Sequence, residues 1–227
     1  MDFNRYAIYY TPTGALARFG ADWLGWDVET GKPTSPPEID GLPAQWDEIT
    51  STPRRYGFHA TIKPPFRLAE GWAETDLLTA FTTHCGLAAP VTLEGLDLAQ
   101  LGRFLALVPA GDTSGLNRLA ADTVRTLDAF RAPLTDADLA RRRAANLTPE
   151  QDALLLQWGY PYVMDQFRCH LTLSGKLPKA QATQLRTALA PVIAPLVPRP
   201  FIIDALSLCG EDATGRFHLV HRAALSG

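Results

Sequence analysis

Two short segments with the same alternation of side chains most constrain the fold of this chain. Residues 58–62 read FHATI and residues 169–173 read CHLTL, about half the chain apart. Because successive side chains of an extended strand point to opposite faces, each segment predicts a strand with one apolar and one polar face. The polar faces carry His59 with Thr61, and His170 with Thr172. We expect each half of the chain to contribute one such strand.

The elements predicted around these strands follow nearly the same order in both halves. Each half contains a strand, a helix and two more strands. In the first half these are 56–65, 74–87, 91–98 and 103–108. In the second half they are a strand within 162–174, a helix from 178, and strands at 201–208 and 216–220. We interpret this order as a pseudo-symmetric α+β architecture. Residues 1–227 then form one bilobal domain with approximate halves 1–110 and 111–227.

Composition restricts the class of protein. The 227 residues include 21 basic and 24 acidic side chains, with a net charge of −3 and a pI of about 5.9, which argues against a protein that coats nucleic acid. No apolar run approaches the length of a membrane-spanning helix, and the amino terminus is too polar for a signal peptide. Three scattered cysteines without a CxxC pair are typical of reduced thiols. We expect a cytoplasmic monomer without membrane contact.

Paired histidines and threonines suit the cleavage of a phosphodiester. A neutral histidine can take a proton from water while a protonated histidine gives one to the leaving oxygen. Threonine hydroxyls can donate hydrogen bonds to the non-bridging oxygens. Neither His59 nor His170 has a Cys, Asp or Glu two positions away. We therefore expect no metal and no cofactor.

The two segments resemble the paired His-x-Thr motifs of the two-histidine (2H) phosphoesterase superfamily, which includes RNA 2′,5′-ligase and cyclic phosphodiesterase proteins. The longer strings PRRYGFHATIKPPF and QWGYPYVMDQFRCHLTLSGKL resemble a bacterial branch encoded with phosphonate-degradation (carbon–phosphorus lyase) genes. The resemblance implies an α+β fold of two pseudo-symmetric lobes, each an antiparallel sheet backed by helices, with the active-site cleft between them. It also implies a metal-independent cyclic phosphodiesterase. It implies a small cyclic phosphate as substrate, such as ribose 1,2-cyclic phosphate 5-phosphate. The catalytic residues that it implies are His59, Thr61, His170 and Thr172.

A substrate with a second phosphate needs further cations near the histidines. Arg54 and Arg55 follow the Pro- and Gly-rich segment 27–53, which we interpret as a long loop with one helical turn, of the kind that often forms a lid. The residues predicted to bind substrate are Arg54, Arg55, Lys63, Arg168 and Tyr9. The arginine run at 141–143 is interpreted instead as a solvated helix face.

Three alternatives stay open. An RNA or nucleoside 2′,3′-cyclic phosphodiesterase of the 2′,5′-ligase type would use the same motif residues, although the acidic balance disfavours tight binding of RNA. A non-catalytic protein that binds a phosphorylated ligand would keep the site without turnover. The two histidines could also be structural or bind a metal ion.

Overall fold

The computed structural model describes residues 2–227. Seven helices and nine strands are present in that part of the chain. In chain order they are β1 (Arg5–Tyr10), α1 (Gly14–Leu24), α2 (Trp46–Arg54), β2 (Ala60–Phe66), α3 (Glu74–Leu87), β3 (Val91–Leu93), β4 (Gly95–Leu101), β5 (Phe104–Ala110), α4 (Ser114–Thr126), α5 (Asp136–Arg143), α6 (Pro149–Trp158), β6 (Leu171–Thr172), α7 (Lys179–Ile193), β7 (Phe201–Ile203), β8 (Ala205–Glu211) and β9 (Phe217–Ala224).

Seven of the strands form one antiparallel sheet in the order β4-β5-β6-β2-β1-β8-β9. Strands β3 and β7 pair separately, also antiparallel. The order is nearly symmetric about the contact between β2 and β6, with β1 and β5 next on either side, and then β8 and β4. The α+β class with antiparallel pairing that the sequence predicts is confirmed.

The two sets of strands on either side of that contact do not follow the two halves of the sequence. The set β2-β1-β8-β9 takes β8 and β9 from the second half, and the set β4-β5-β6 takes β4 and β5 from the first half. Strand β1 pairs with β8 over five consecutive residues, so its partner comes from the far end of the chain. The predicted halves 1–110 and 111–227 therefore exchange strands instead of each forming its own sheet.

A single residue pair joins the two sets, Ala60 of β2 with Leu171 of β6. Strand β6 contains only Leu171 and Thr172, so the strand predicted within 162–174 is present but is shorter than the segment 169–173 that predicts it. The chain before it forms a 3₁₀ turn at Met164–Gln166, where Met164 has a left-handed φ of 52°. Residues 167–170 consequently form no ladder, although their side chains still alternate.

Helices cover one face of the sheet, the face that carries the side chains of Ala60 and Leu171. The helical residues in this core include Leu16, Phe19, Trp23, Leu77, Phe81, Leu116, Leu119, Leu185 and Leu189. Gly20 of α1 allows the helix to approach β2 closely, because a Cβ atom there would lie 2.0 Å from Cδ1 of Phe58. Phe58 immediately precedes His59, so this contact anchors the start of the first motif.

The opposite face of the sheet carries only a small apolar cluster. Its buried members are Ala7, Tyr9, Cys209 and Phe217, with Tyr56 and Leu219 packed against them. The indole of Trp26 closes one side by donating a hydrogen bond of 2.7 Å to the carbonyl of Phe217. Above the two motifs the face remains open to solvent, since His59, Thr61, His170 and Thr172 are all partly exposed.

Local signals place several helix ends correctly. The hydroxyl of Thr148 accepts a hydrogen bond from the backbone of Gln151, and α6 ends at Gly159 with a φ of 76°, as predicted. The segment 27–53, predicted as a loop with one helical turn, instead leads into the nine-residue α2. None of the helices within residues 2–227 is long and apolar enough to cross a membrane.

Candidate active site

The contact between β2 and β6 brings the two motifs together. Ala60 and Leu171 are direct partners, and both side chains lie in the helix-side core. The flanking residues of each strand therefore point to the open face. In this antiparallel register each histidine lies across from the threonine of the other motif, at cross-strand distances of about 4.5–5.5 Å between Cβ atoms. The four residues that share this face are His59, Thr61, His170 and Thr172.

Both histidines are held by the same backbone contact. Nδ1 of His59 lies 2.9 Å from the carbonyl oxygen of Gly57, and Nδ1 of His170 lies 2.8 Å from that of Arg168. A carbonyl can only accept, so each Nδ1 carries a proton and each Nε2 is the nitrogen left for proton transfer. The hydroxyl of Thr61 lies 3.1 Å from Nε2 of His59 and can donate to it. The two imidazoles thus have the same tautomer.

The surroundings of the two imidazoles differ. The ring of His59 stacks on that of Tyr9, with centroids 3.8 Å apart and an interplanar angle of 26°. Burial lowers the pKa of His59 to about 4; the bond to Gly57 opposes this effect and the neighbouring His170 adds to it. His59 is therefore neutral at pH 7. The ring of His170 is instead tilted by 55° to that of Phe104, with centroids 5.8 Å apart.

The buried ring of Tyr9 packs against one face of the His59 ring. Its side chain is 1% exposed, and it packs between the His59 ring and Phe217. The His59 ring covers Tyr9 on the side of the open face, and the direct contact of Tyr9 with substrate stays a prediction. In the structure Tyr9 orients the imidazole and excludes water from the ring face that it covers.

Gly57 sets the position of the carbonyl that holds His59. Its φ of +69° lies in the left-handed region, and a Cβ atom there would lie 2.1 Å from Cγ1 of Val28. Both features require glycine at this position. The turn just before β2 therefore determines the orientation of the first imidazole.

Lys63 does not share the open face with His59, and its predicted position there is wrong. Between Thr61, which pairs with Tyr9, and Lys63, which pairs with Ile8, β2 gains one residue over β1. This β-bulge turns Lys63 toward the helices, where Nζ lies 3.2 Å from Oδ1 of Asp128 and 3.2 Å from the carbonyl of Val124. Burial lowers its pKa to about 8.

Arg54 is engaged in holding α2 against the end of α1. Its Nε donates to the carbonyl of Leu24 at 2.9 Å, and one Nη donates at 2.7 Å to both Asp47 and Thr50. The guanidinium also lies 4.2 Å from the ring centroid of Trp46. These contacts give Arg54 a structural position instead of the predicted place beside a ligand.

The other two predicted cations lie closer to the histidines. Arg55 is exposed and lies over the ring of Tyr56, which is 6.2 Å from the ring of His59. Arg168 supplies the carbonyl that holds His170, while its own guanidinium folds back onto the carbonyls of Asp165 and Phe167. Of the four predicted cations, Arg55 is the one beside the motifs whose guanidinium forms no hydrogen bond within the described residues.

Comparison with known proteins identifies the family. The model of the family described as "Protein of unknown function (DUF1045)" matches residues 61–218. The chain belongs to the DUF1045 family. The matched range includes Thr61 and the whole second motif, and it extends into β9.

Two curated relatives of this DUF1045 protein carry the name ribose 1,5-bisphosphate phosphokinase PhnN. The protein from Janthinobacterium sp. (strain Marseille) is 38% identical over 219 residues, which cover 93% of this chain and 48% of the relative. The protein from Laribacter hongkongensis (strain HLHK9) is 37% identical over 182 residues, which cover 76% of this chain and 40% of the relative. The chain thus spans about half the length of the relatives that it matches.

Solved structures of similar outline include a phosphoesterase, with a TM-score of 0.44 and 14% identity. They also include E. coli LigT complexed with 3′-AMP, with a TM-score of 0.47 and 15% identity. Both alignments cover 100% of each chain.

Sequence reasoning missed a group of cations at the far end of β2. Arg142, in the run interpreted as a solvated helix face, is half-buried and lies 4.6 Å from the ring centroid of Tyr160. It lines a pocket together with Arg5, Arg67 and Arg131, which are distant from it in sequence. The sequence signal for this pocket was the run of arginines at 141–143. The neighbouring residues do not show whether such a run faces solvent or lines a pocket.

The DUF1045 chain offers no evident metal centre in the part that the structure describes. Within residues 2–227, no three His, Cys, Asp or Glu side chains lie close enough together to hold a metal ion.

Proposed function

We propose that this DUF1045 protein is a cyclic phosphodiesterase that opens a small cyclic phosphate by acid–base catalysis with two histidines. One observation carries the proposal. His59 and His170 flank the paired residues Ala60 and Leu171 on one open face, with the same contact from Nδ1 but different surroundings. In-line hydrolysis of a phosphodiester requires one group that accepts a proton and one that donates a proton.

The low pKa of His59 supports a role for it as the base. When substrate binds, the hydroxyl of Thr61 turns from Nε2 of His59 to a non-bridging oxygen, to which the hydroxyl of Thr172 also donates, and negative charge is redistributed there. Nε2 of neutral His59 is then free to take a proton from a water molecule as the water oxygen forms a bond to phosphorus. The bond from phosphorus to the leaving oxygen breaks, and Nε2 of protonated His170 gives that oxygen its proton. The histidines exchange protons with solvent after release, and no metal or cofactor enters the sequence.

We propose ribose 1,2-cyclic phosphate 5-phosphate as the substrate, in the breakdown of phosphonates in the cytoplasm. The motif strings support this choice through their resemblance to the phosphonate-associated branch. The relatives' name supports it as well, because breaking the bond between phosphorus and O2 of that sugar yields ribose 1,5-bisphosphate. The proposal assigns to this chain the hydrolysis that supplies the compound for which those relatives are named.

Single substitutions of the two histidines test the mechanism. His59→Asn and His170→Asn should each lower kcat/KM for the cyclic sugar phosphate about 10²- to 10⁴-fold, the usual contribution of a positioned acid or base. The double variant should lose far less than the product of the two factors, because the residues act as a unit. Steady-state kinetics with phosphorus NMR of the product measures both.

His221→Asn is the matched control, since His221 is exposed on β9 and should be replaceable without loss of activity. Near-full activity of either motif variant would contradict the two-histidine mechanism. A higher kcat/KM for a nucleoside 2′,3′-cyclic phosphate would reject the sugar phosphate and favour an RNA-end activity. Binding without turnover of any cyclic phosphate would indicate a non-catalytic ligand-binding protein.

A further inference from the structure

A second pocket, rich in arginine, lies where β2 ends. Its backbone floor is residues 64–67, and its wall comes from the segments around residues 131–142 and 158–159. The cationic side chains that line it are Arg5, Lys63, Arg67, Arg131, Arg141 and Arg142. We call this feature the arginine pocket.

The arginine pocket has more positive than negative charge. Its six cations contact three carboxylates within the described residues: Glu211 with Arg5, Asp128 with Lys63 and Arg131, and Asp138 with Arg67 and Arg141. Three positive charges remain unbalanced, although the whole protein has a net charge of −3. Clustering of like charges is unfavourable unless an anion joins them.

Arg142 is the least satisfied member of the pocket. Among residues 2–227 no carboxylate forms an ion pair with it, and its guanidinium rests on the ring of Tyr160 at 4.6 Å. The donors of its guanidinium are therefore available to an added anion. Its planar fork of donors, held by the aromatic ring, is suited to bidentate contact with a phosphate.

The pocket and the histidines share one face of β1. Lys63 lines the pocket from the helix side, whereas Arg5 lines it from the side that Tyr9 occupies. Tyr9 lies under His59. Arg5 and Tyr9 are four residues apart on a strand that pairs with β8 without a bulge, so both side chains point to the same side, about 13 Å apart. A sugar with phosphates at both ends, together with the length of an arginine side chain, can bridge this separation.

We propose that the arginine pocket binds a second phosphate of the substrate, a phosphate monoester dianion, while the two histidines act on the cyclic phosphate. The proposal rests on the cyclic phosphodiesterase function and narrows its substrates to those with a terminal phosphate. The pocket has about 30 Å³ of free space, so the guanidinium groups must move to admit the anion. Those of Arg67 and Arg141 are 42% and 64% exposed and can swing outward.

Calorimetric binding of ribose 5-phosphate, with ribose as the uncharged control, tests the pocket without requiring turnover. The wild-type protein should bind ribose 5-phosphate and not ribose. Arg142→Ala should weaken this binding about 10- to 100-fold, the effect of losing a charge-assisted pair of hydrogen bonds. Arg142→Lys should restore it only in part, because it keeps the charge without the fork. Arg186→Ala, on the exposed side of α7, removes the same charge elsewhere and should have no effect.

The histidine variants separate this proposal from the proposed function. His170→Asn should bind ribose 5-phosphate as tightly as the wild-type protein does, which would locate the phosphate away from the histidines. Three results would each reject the proposed role of the pocket. They are equal weakening by His170→Asn and Arg142→Ala, equal affinity for ribose and ribose 5-phosphate, and an unchanged affinity in Arg142→Ala. None of these results would contradict the proposed hydrolysis of cyclic phosphates. Arg142-dependent binding without hydrolysis would keep the pocket and reject the proposed function.

Discussion

Single residues make the surroundings of the two histidines different. Both imidazoles form the same bond from Nδ1 to a carbonyl two residues earlier, so backbone geometry alone does not distinguish them. Tyr9 makes the difference, because its stacked ring excludes water from one side of His59. Tyr9 and His59 are fifty positions apart in the sequence, so alternation along a strand predicts the face of His59 but not this partner. The asymmetry therefore becomes visible only when β1 lies beside β2.

The low pKa of His59 predicts that activity declines only at an unusually low pH. Since only neutral His59 can act as base, kcat/KM should fall only below about pH 4, instead of near the ordinary histidine pKa of about 6.5. The folded-state pKa lies below the unfolded one, so protonation favours unfolding. The contribution of His59 to stability is thus complete above about pH 6.5 and is lost as the pH falls toward 4.

An NMR titration of the imidazole resonances, with His59→Asn to assign the signal, measures this pKa directly. A value for His59 at or above 6.5 would contradict both this pH dependence and its assignment as the base.

The close packing of α1 on β2 depends on one glycine, Gly20. A Cβ atom at Gly20 would lie within 2.0 Å of Phe58, so α1 packs on the strand as closely as the backbone allows. Phe58 is 4% exposed and has little room to withdraw. Packing of the helix and placement of the first motif are therefore coupled.

Gly20→Ala should lower the free energy of unfolding by about 1–3 kcal/mol, the usual cost of overpacking. It should also lower kcat, because Phe58 must shift and His59 follows it in the chain. Helix propensity alone predicts the opposite sign, since alanine is favoured over glycine within a helix by about 0.5–1 kcal/mol.

Gly86→Ala is the matched control in α3, where a Cβ atom would meet nothing within 4 Å. It should raise the stability by up to about 1 kcal/mol and leave activity unchanged. Urea unfolding of both variants gives the comparison. A Gly20→Ala protein at least as stable as the wild type would show that the contact with Phe58 relaxes freely.

Elements set by local signals could be predicted from the sequence, and those set by pairing could not. The bounds of α3 and the cap of α6 agree with prediction because apolar spacing and capping residues lie within the segment itself. The position of Lys63 depends on a bulge that forms against β1, and the length of β6 depends on where its neighbours end. Four motif residues could therefore be assigned to one face, whereas three of the five predicted binding residues, Arg54, Lys63 and Tyr9, have other partners.

On the scale of the whole molecule, we expect the exchange of strands to make the chain one folding unit. Strand β1 pairs with β8 from the opposite end of the chain, and β5 pairs with β6. Removing either half of the sequence would leave apolar strand edges without partners and would open the helix-side core. Neither half can bury enough apolar surface by itself.

Residues 1–110 and 111–227, expressed separately, should therefore each lack cooperative unfolding and dispersed NMR signals. The intact chain is the control and should unfold in one transition. Mixing the two fragments should restore part of the native spectrum, because the missing partners are then present. A fragment that folds cooperatively by itself would instead show that the lobes are independent.

The single pair Ala60–Leu171 has a mechanical consequence for the site. His59 belongs to the strand set on one side of this pair and His170 to the set on the other. We expect the separation of the two imidazoles to depend on the angle between the sets. In the proposed mechanism, residues remote from the open face, such as those packing α1 or α4 against the sheet, would tune the reaction rate by setting that angle.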